Sequence, residues 1–257
     1  MFLFYRLLLA HIIADFPLQT DEIFNIKTNK KWGVLIHSGI VLVFSVLLTS
    51  KYLENNSVLM IILIIFITHT IIDKLKIKYS KKYSNHELLL FLLDQLLHIS
   101  IIFLLTCNFS QKYLITVNTE FPFLNLLIDI YNNDILIICL IGYLSSIYII
   151  PIFLVFIKEE SIENKTIHSI KRNTKNIEIT SNELVDKVYR FILTISTQYL
   201  NENYILMIFI GFTIANIIPL NINSNKIDRM YNLKRILNTS LAIFIGIILK
   251  FVYYPSI

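Results

Sequence analysis

Apolar segments close to the length of a membrane span follow one another along the whole chain. A bilayer core about 30 Å thick needs about 20 helical residues, and about 17 are the practical minimum. Eight segments come near this length, and they are residues 2–19, 33–50, 57–74, 87–106, 134–157, 185–200, 203–220 and 236–254. A mean hydropathy of +0.65 with 55% hydrophobic residues is high for a soluble chain of 257 residues. The sequence therefore predicts an all-α, polytopic transmembrane helix bundle of about eight spans.

The sixth and seventh segments leave two interpretations open. Both are short, and only Asn201, Glu202 and Asn203 separate them. They form either two spans or one hairpin that dips into the bilayer. Asp186 and Arg190 open the sixth segment four residues apart, and we expect them to pair at the membrane surface.

The distribution of Lys and Arg predicts the orientation of the chain, because basic loops stay on the cytoplasmic side. If the loops after spans 1, 3, 5 and 7 lie inside, that side receives all but four of the 23 basic residues. The four exceptions are Arg6, Lys51, Lys112 and Lys250. Both termini should then face outward. The net charge of +5 is then concentrated at the cytoplasmic face, where we expect it to contact anionic lipid rather than nucleic acid.

This topology divides the chain into three parts. Residues 1–106 form a four-helix membrane domain, residues 107–133 an outer interfacial loop, and residues 134–257 the C-terminal membrane helices with a polar cytoplasmic loop at 158–184. Cys107 and Cys139 lack metal-type spacing, and we expect no disulfide. The sequence contains no nucleotide-binding P-loop, dinucleotide fingerprint or serine-hydrolase elbow.

Ionisable residues recur at a spacing of four inside the first four apolar segments. Side chains four apart share one face of a helix. The predicted topology places all of them in the cytoplasmic half of the bilayer, where charged groups normally face the bundle interior and pair with one another. The pattern comprises His11 with Asp15 and Gln19, a lone His37, His69 with Asp73, and Asp94 with His98.

Two chemistries use such a set of imidazoles and carboxylates. One is a mixed nitrogen and oxygen site for a divalent metal, with zinc favoured and manganese or iron as alternatives, which could hold two ions and activate water. The other is a proton or ion relay, and a purely structural network of His–Asp hydrogen bonds is a third interpretation. Repetition of the pair favours metal. The predicted ligands are His11, Asp15, His37, His69, Asp73, Asp94 and His98.

Four side chains receive further roles in this metal hypothesis. Asp15 and Asp94 are the candidate catalytic carboxylates. Gln19 and Gln95 are expected to orient ligands through hydrogen bonds.

Three motifs carry a resemblance to a known family. They are H-x-x-A-D-F-x-x-Q from His11 to Gln19, T-H-x-x-I-D-x-x-K from Thr68 to Lys76, and L-D-Q-x-x-H from Leu93 to His98. With the intervening His37, they look like the bacterial integral membrane family catalogued as domain of unknown function number 3307. The resemblance covers about residues 1–106 and implies a multi-pass protein of the bacterial cytoplasmic membrane. It implies no substrate.

The sequence thus leads to a functional hypothesis with two alternatives. We expect a metal-dependent hydrolase whose His/Asp site opens to the cytoplasm and acts on a lipid-linked or amphipathic substrate. The alternatives are a proton-coupled or divalent-cation transporter that uses the same residues, and a membrane subunit of a larger complex.

Overall fold

The protein is built from α-helices, as a computed structural model shows for residues 2–83, 86–109, 114–115, 120–155, 181–200 and 226–254. No strand occurs within these ranges, which confirms the predicted all-α class. The chain divides into two compact units, Met1–Ile141 and Gly142–Ile257. The helices are α1 Phe2–Asp15, α2 Asp21–Asn29, α3 Gly33–Leu48, α4 Asn56–Lys82, α5 Glu87–Thr106, α6 Pro122–Asn132, α7 Asp134–Val155, α8 Ser181–Tyr199 and α9 Lys226–Tyr253.

Four of the described helices are long and apolar enough to cross a membrane, fewer than the eight spans that the sequence predicted. They comprise α4, α5, α7 and the part of α9 from Ile236 to Tyr253. Helix α3 is apolar but shorter. Helix α8, at the predicted sixth span, is not among the four, since charged and polar residues recur along it. The predicted seventh span and most of the predicted cytoplasmic loop lie outside the described residues.

Helix α1 ends at Asp15, four residues before the predicted end of the first span. Pro17 has no N–H to donate, and it disfavours helical geometry at the residue before it. The chain turns there and forms the short helix α2, which the sequence analysis missed. Thr20 caps α2 by accepting a hydrogen bond from the backbone N–H of Ile23 at 3.4 Å.

Helices α1, α3, α4 and α5 pack around a common interior in the first unit. Helix α3 contacts α1 and α4, and α5 contacts α4 and α1, which closes the ring. One end of this bundle holds an apolar core that combines the start of α1 and α4 with the end of α5. Its buried members are Leu3, Leu7, Tyr52, Val58, Ile62, Ile65 and Ile102.

The outer surface of α4 and α5 is apolar, whereas their inward faces carry polar side chains. Leu63 and Ile67 on α4 and Leu96 on α5 are exposed, while Asp73 on α4 is fully buried. A soluble protein rarely exposes so continuous an apolar surface. This arrangement suits a bundle whose exterior contacts lipid hydrocarbon.

A buried arginine lies near the apolar end of the bundle. Arg6 donates to the Asp134 carboxylate at 2.7 Å and to the backbone oxygens of Phe2 at 3.0 Å and of Tyr131. The guanidinium carbon also lies 5.7 Å from the centroid of the Tyr52 ring. These contacts join α1 to the junction between α6 and α7 within the first unit.

The second unit corrects the expectation for Arg190. Its side chain is buried and donates to Asn238 Oδ1 and to the backbone oxygen of Ile147, each at 3.3 Å. Asp186 is exposed, whereas Arg190 is only 3% exposed, so Arg190 does not lie at the surface of the unit. Buried polar groups need internal partners, and neighbouring helices of the unit supply them to Arg190.

Gly33 allows α2 to pack closely against the start of α3, which gives a testable prediction. A Cβ atom there would lie 1.9 Å from the backbone oxygen of Ile26 and 2.9 Å from the Cα of Lys27. Gly33→Ala should therefore destabilise the first unit by about 1–3 kcal/mol, the usual cost of overpacking. The measurement is the midpoint of thermal unfolding of the purified protein in detergent.

Gly39→Ala is the matched control in the same helix. A Cβ atom at Gly39 meets nothing within 4 Å, so this variant should be neutral or more stable by about 0.5–1 kcal/mol, because alanine favours the helix. Equal midpoints for the two variants would contradict the close approach of α2 to α3.

Candidate functional site

The second end of the bundle holds a cluster of buried ionisable side chains, which we call the His/Asp cluster. It is formed by the end of α1, the start of α3 and the middle of α4 and α5. None of its members is more than 7% exposed. They are His11 and Asp15 from α1, His37 from α3, His69 and Asp73 from α4, and Asp94 and His98 from α5.

Asp15 lies at the centre of the cluster. Its Oδ1 atom is 3.2 Å from Nε2 of His37 and 3.5 Å from Nε2 of His69. The same oxygen is 3.7 Å from Nδ1 of His11, one helical turn earlier. One carboxylate oxygen thus contacts imidazoles from three helices.

Asp73 shares two of these imidazoles. Its Oδ2 atom is 3.3 Å from Nε2 of His69 and 3.6 Å from Nε2 of His37. The ammonium group of Lys27, on α2, lies 2.8 Å from the same oxygen. Asp73 is therefore neutralised by a lysine while it still faces two imidazoles.

Asp94 forms the third carboxylate position with His98 beside it. Oδ1 of Asp94 is 3.7 Å from Nδ1 of His98. Oδ2 accepts hydrogen bonds from Lys76 at 2.6 Å and from the Gln95 amide at 3.0 Å. Unlike Asp73, whose Oδ2 atom faces both a lysine and the imidazoles, Asp94 has one oxygen held by a lysine and the other turned toward an imidazole.

The four imidazoles lie close enough together for several of them to bind the same ion. The ring centroid of His69 lies 4.2 Å from that of His98, 5.3 Å from that of His37 and 5.4 Å from that of His11. Nδ1 of His69 and both ring nitrogens of His98 are buried without a hydrogen-bond partner among the residues that the structure describes. Buried polar atoms are normally bonded, so these nitrogens are available to a ligand.

Three sets of side chains place one ligand atom each within 4.8 Å of the others. Asp15 and His69 each belong to two of the sets, and all members are buried. The sets are His11, Asp15 and His69; His37, His69 and Asp73; and Asp15, Asp94 and His98. The last two share no residue, so they define two separate positions at which a metal could be held.

The two predicted glutamines lie beside the cluster in different ways. Gln95 donates to Asp15 Oδ2 at 3.4 Å as well as to Asp94, so it links two carboxylates. Gln19 lies beyond the end of α1, where it accepts a hydrogen bond from Lys27 at 3.1 Å. Gln19 therefore contacts the cluster through Lys27 rather than along the polar face of α1.

Lys27 and Lys76 also belong to the site. From the sequence, we expected both lysines to lie in the basic loops. The place of Lys76 in the site could be predicted from the sequence. Lys76 follows Asp73 by three residues and His69 by seven, and so shares their helical face. The place of Lys27 could not be predicted in this way, because it depends on how α2 packs against α3.

Comparison with known protein families supports the resemblance seen in the motifs. Residues 3–127 match the family described as "Protein of unknown function (DUF3307)". No curated protein and no solved structure matches the chain. The matched part includes every member of the His/Asp cluster, so residues 3–127, which carry the candidate site, resemble the DUF3307 family.

Proposed function

We propose that this protein is a metal-dependent hydrolase with its reaction centre in the His/Asp cluster. One observation carries the proposal, namely that buried imidazoles and carboxylates from four helices form sets with ligand atoms within 4.8 Å of one another. Burying so many ionisable groups among apolar helices is costly, and such groups usually mark a functional site.

His37, His69 and Asp73 are the best candidates for the first metal position. Two imidazoles and one carboxylate are the ligands of several catalytic zinc sites, which leave a fourth position open for water or substrate. A zinc ion held there would polarise a bound water molecule for attack. The same ligand types accept manganese or iron, and the imidazole content favours zinc.

Asp15 and Asp94 are the candidate catalytic carboxylates. Oδ1 of Asp15 lies within 3.5 Å of both imidazoles in the first position, so it can accept a proton from a water molecule placed between them. Asp94 and His98 complete the second position with Asp15. His11 contacts Asp15 and lies beside His98, with 4.9 Å between the ring centroids, which suits a ligand of either position.

The substrate we propose is lipid-linked or amphipathic. The cluster lies between helices with apolar exteriors, and two of them, α4 and α5, are long enough to cross a bilayer. A substrate that carries an apolar chain can remain in the bilayer while its polar group enters the bundle.

Proton or cation transport is the second candidate, and a chain of contacts favours it. Asp73 contacts His69, and His69 contacts Asp15, at 3.3 and 3.5 Å. Gln95 then connects Asp15 to Asp94. Rows of His and Asp of this kind carry protons in membrane proteins.

The metal content of the purified protein tests the proposal. After zinc loading and dialysis, the unaltered protein should retain at least one zinc ion per chain, as measured by elemental analysis. His69→Ala should weaken zinc affinity by more than about 100-fold, because losing groups that merely orient ligands already costs about 10–100-fold. His69 is the variant of choice, since it belongs to two of the three sets.

His86→Ala is the matched control for this measurement. His86 is exposed at the start of α5, so its removal should leave zinc content unchanged. Equal zinc retention by the unaltered protein and by His69→Ala would refute a metal site at the cluster.

Asp94→Asn separates the enzyme from the transporter. The change preserves size but removes the negative charge, and a neutral amide is a poorer ligand for a divalent ion. A hydrolase should lose zinc and turnover together. A proton-coupled transporter should keep its zinc content and lose its response to a pH gradient. Full zinc content with undiminished cellular function would contradict both assignments.

A further inference from the structure

We propose that Lys27 and Lys76 bind the phosphate group of the substrate, which makes that substrate a phosphate ester or diphosphate. The inference rests on the proposed metal site and names the substrate class of that site. It is carried by the two ion pairs that these lysines form inside the His/Asp cluster.

The charge of the site is the first argument. The carboxylates of Asp15, Asp73 and Asp94 and the ammonium groups of Lys27 and Lys76 together leave one net negative charge when the imidazoles are neutral. One divalent ion would change this to one net positive charge, and two such ions to three. A buried site with a positive balance favours an anionic ligand, because solvent screens charges only weakly among buried side chains.

Competition for carboxylate oxygens is the second argument. Lys27 holds Oδ2 of Asp73, the oxygen that also faces Nε2 of His69 and of His37. A metal ion in that position would take this oxygen as a ligand and would repel the ammonium group beside it. The lysine would then need a new anionic partner within its reach.

Lys76 is placed to meet a ligand that enters the cluster. Its side chain is 28% exposed, whereas Asp94, with which it forms an ion pair, is buried. The ammonium group therefore lies at the boundary of the site. The Nζ atom is also 5.4 Å from the centroid of the Phe91 ring, which restricts the direction of the side chain. Lysine binds phosphate oxygens as a mobile point charge.

The reaction implied is hydrolysis of a phosphate ester. A bond forms between the oxygen of water and phosphorus as the bond from phosphorus to the leaving oxygen breaks. Asp15 accepts a proton from the water and passes it to the leaving oxygen. A phosphate monoester then gives an alcohol and inorganic phosphate, and a diphosphate ester gives a phosphate monoester and inorganic phosphate. No electron transfer is required, and the two lysines stabilise the negative charge on the remaining phosphate oxygens.

The test is the affinity of the full-length, zinc-loaded protein for inorganic phosphate, measured by calorimetry in detergent. The unaltered protein should bind phosphate more tightly with zinc than without it. Lys76→Gln and Lys27→Gln should each weaken phosphate binding by about tenfold or more, because each removes a hydrogen bond to a charged group. Lys74→Gln is the control, since Lys74 is exposed on the same helix and should leave the affinity unchanged.

Zinc content is measured first, so that failure of the metal site and failure of this inference are distinguishable. A protein without zinc would refute the metal site and, with it, the role of the lysines. A protein that holds zinc but binds no phosphate overturns the inference alone, and this result requires no variant. Unchanged phosphate affinity in both lysine variants, with zinc retained, overturns it as well.

The phosphate group could belong to a lipid headgroup or to a soluble compound, and an experiment in nanodiscs distinguishes these two sources. The phosphate titration is repeated in phosphatidylcholine discs with and without phosphatidic acid. A headgroup that occupies the site should weaken binding of inorganic phosphate in the discs with phosphatidic acid, and this effect should disappear in Lys76→Gln. Equal affinity in both discs, with the lysine effects preserved, supports a soluble phosphate compound.

Discussion

The contacts of Asp15 with three imidazoles are the interaction on which the arrangement of the first unit depends. A carboxylate inside a bundle with an apolar exterior is unfavourable unless other groups compensate its charge. His11, His37 and His69 lie around its Oδ1 atom and come from three helices. The polar interior therefore fixes the rotation of α1, α3 and α4 about their axes, while apolar packing at the other end of the bundle holds them together.

The lysines compensate the other two carboxylates, and they link the metal hypothesis to the substrate. Lys27 and Lys76 neutralise Asp73 and Asp94 in the structure, and a divalent ion bound at the cluster would take over that role. Ammonium groups released in this way are strong anion ligands. One set of contacts thus explains how the charges are stabilised without a metal and how an anionic substrate could be held beside one.

The His/Asp cluster could be predicted largely from the sequence, because a spacing of four in an apolar helix determines which side chains share a face. The end of α1 could also have been predicted from the sequence, because Pro17 interrupts the helix before Gln19. Lys27 could not be placed, because its position depends on the packing of α2 against Gly33. Arg190 was misjudged for a similar reason, since its partners Asn238 and Ile147 are distant in sequence and come together only in the folded second unit.

X-ray absorption at the zinc edge of the zinc-loaded protein tests the central claim most directly, because it reports the atoms bound to the metal. The account predicts nitrogen and oxygen ligands at about 2.0–2.1 Å. Outer-shell scattering should show at least two imidazole rings, from His37 and His69. A spectrum without imidazole scattering, or with sulfur as a ligand, would contradict a metal site built from the His/Asp cluster.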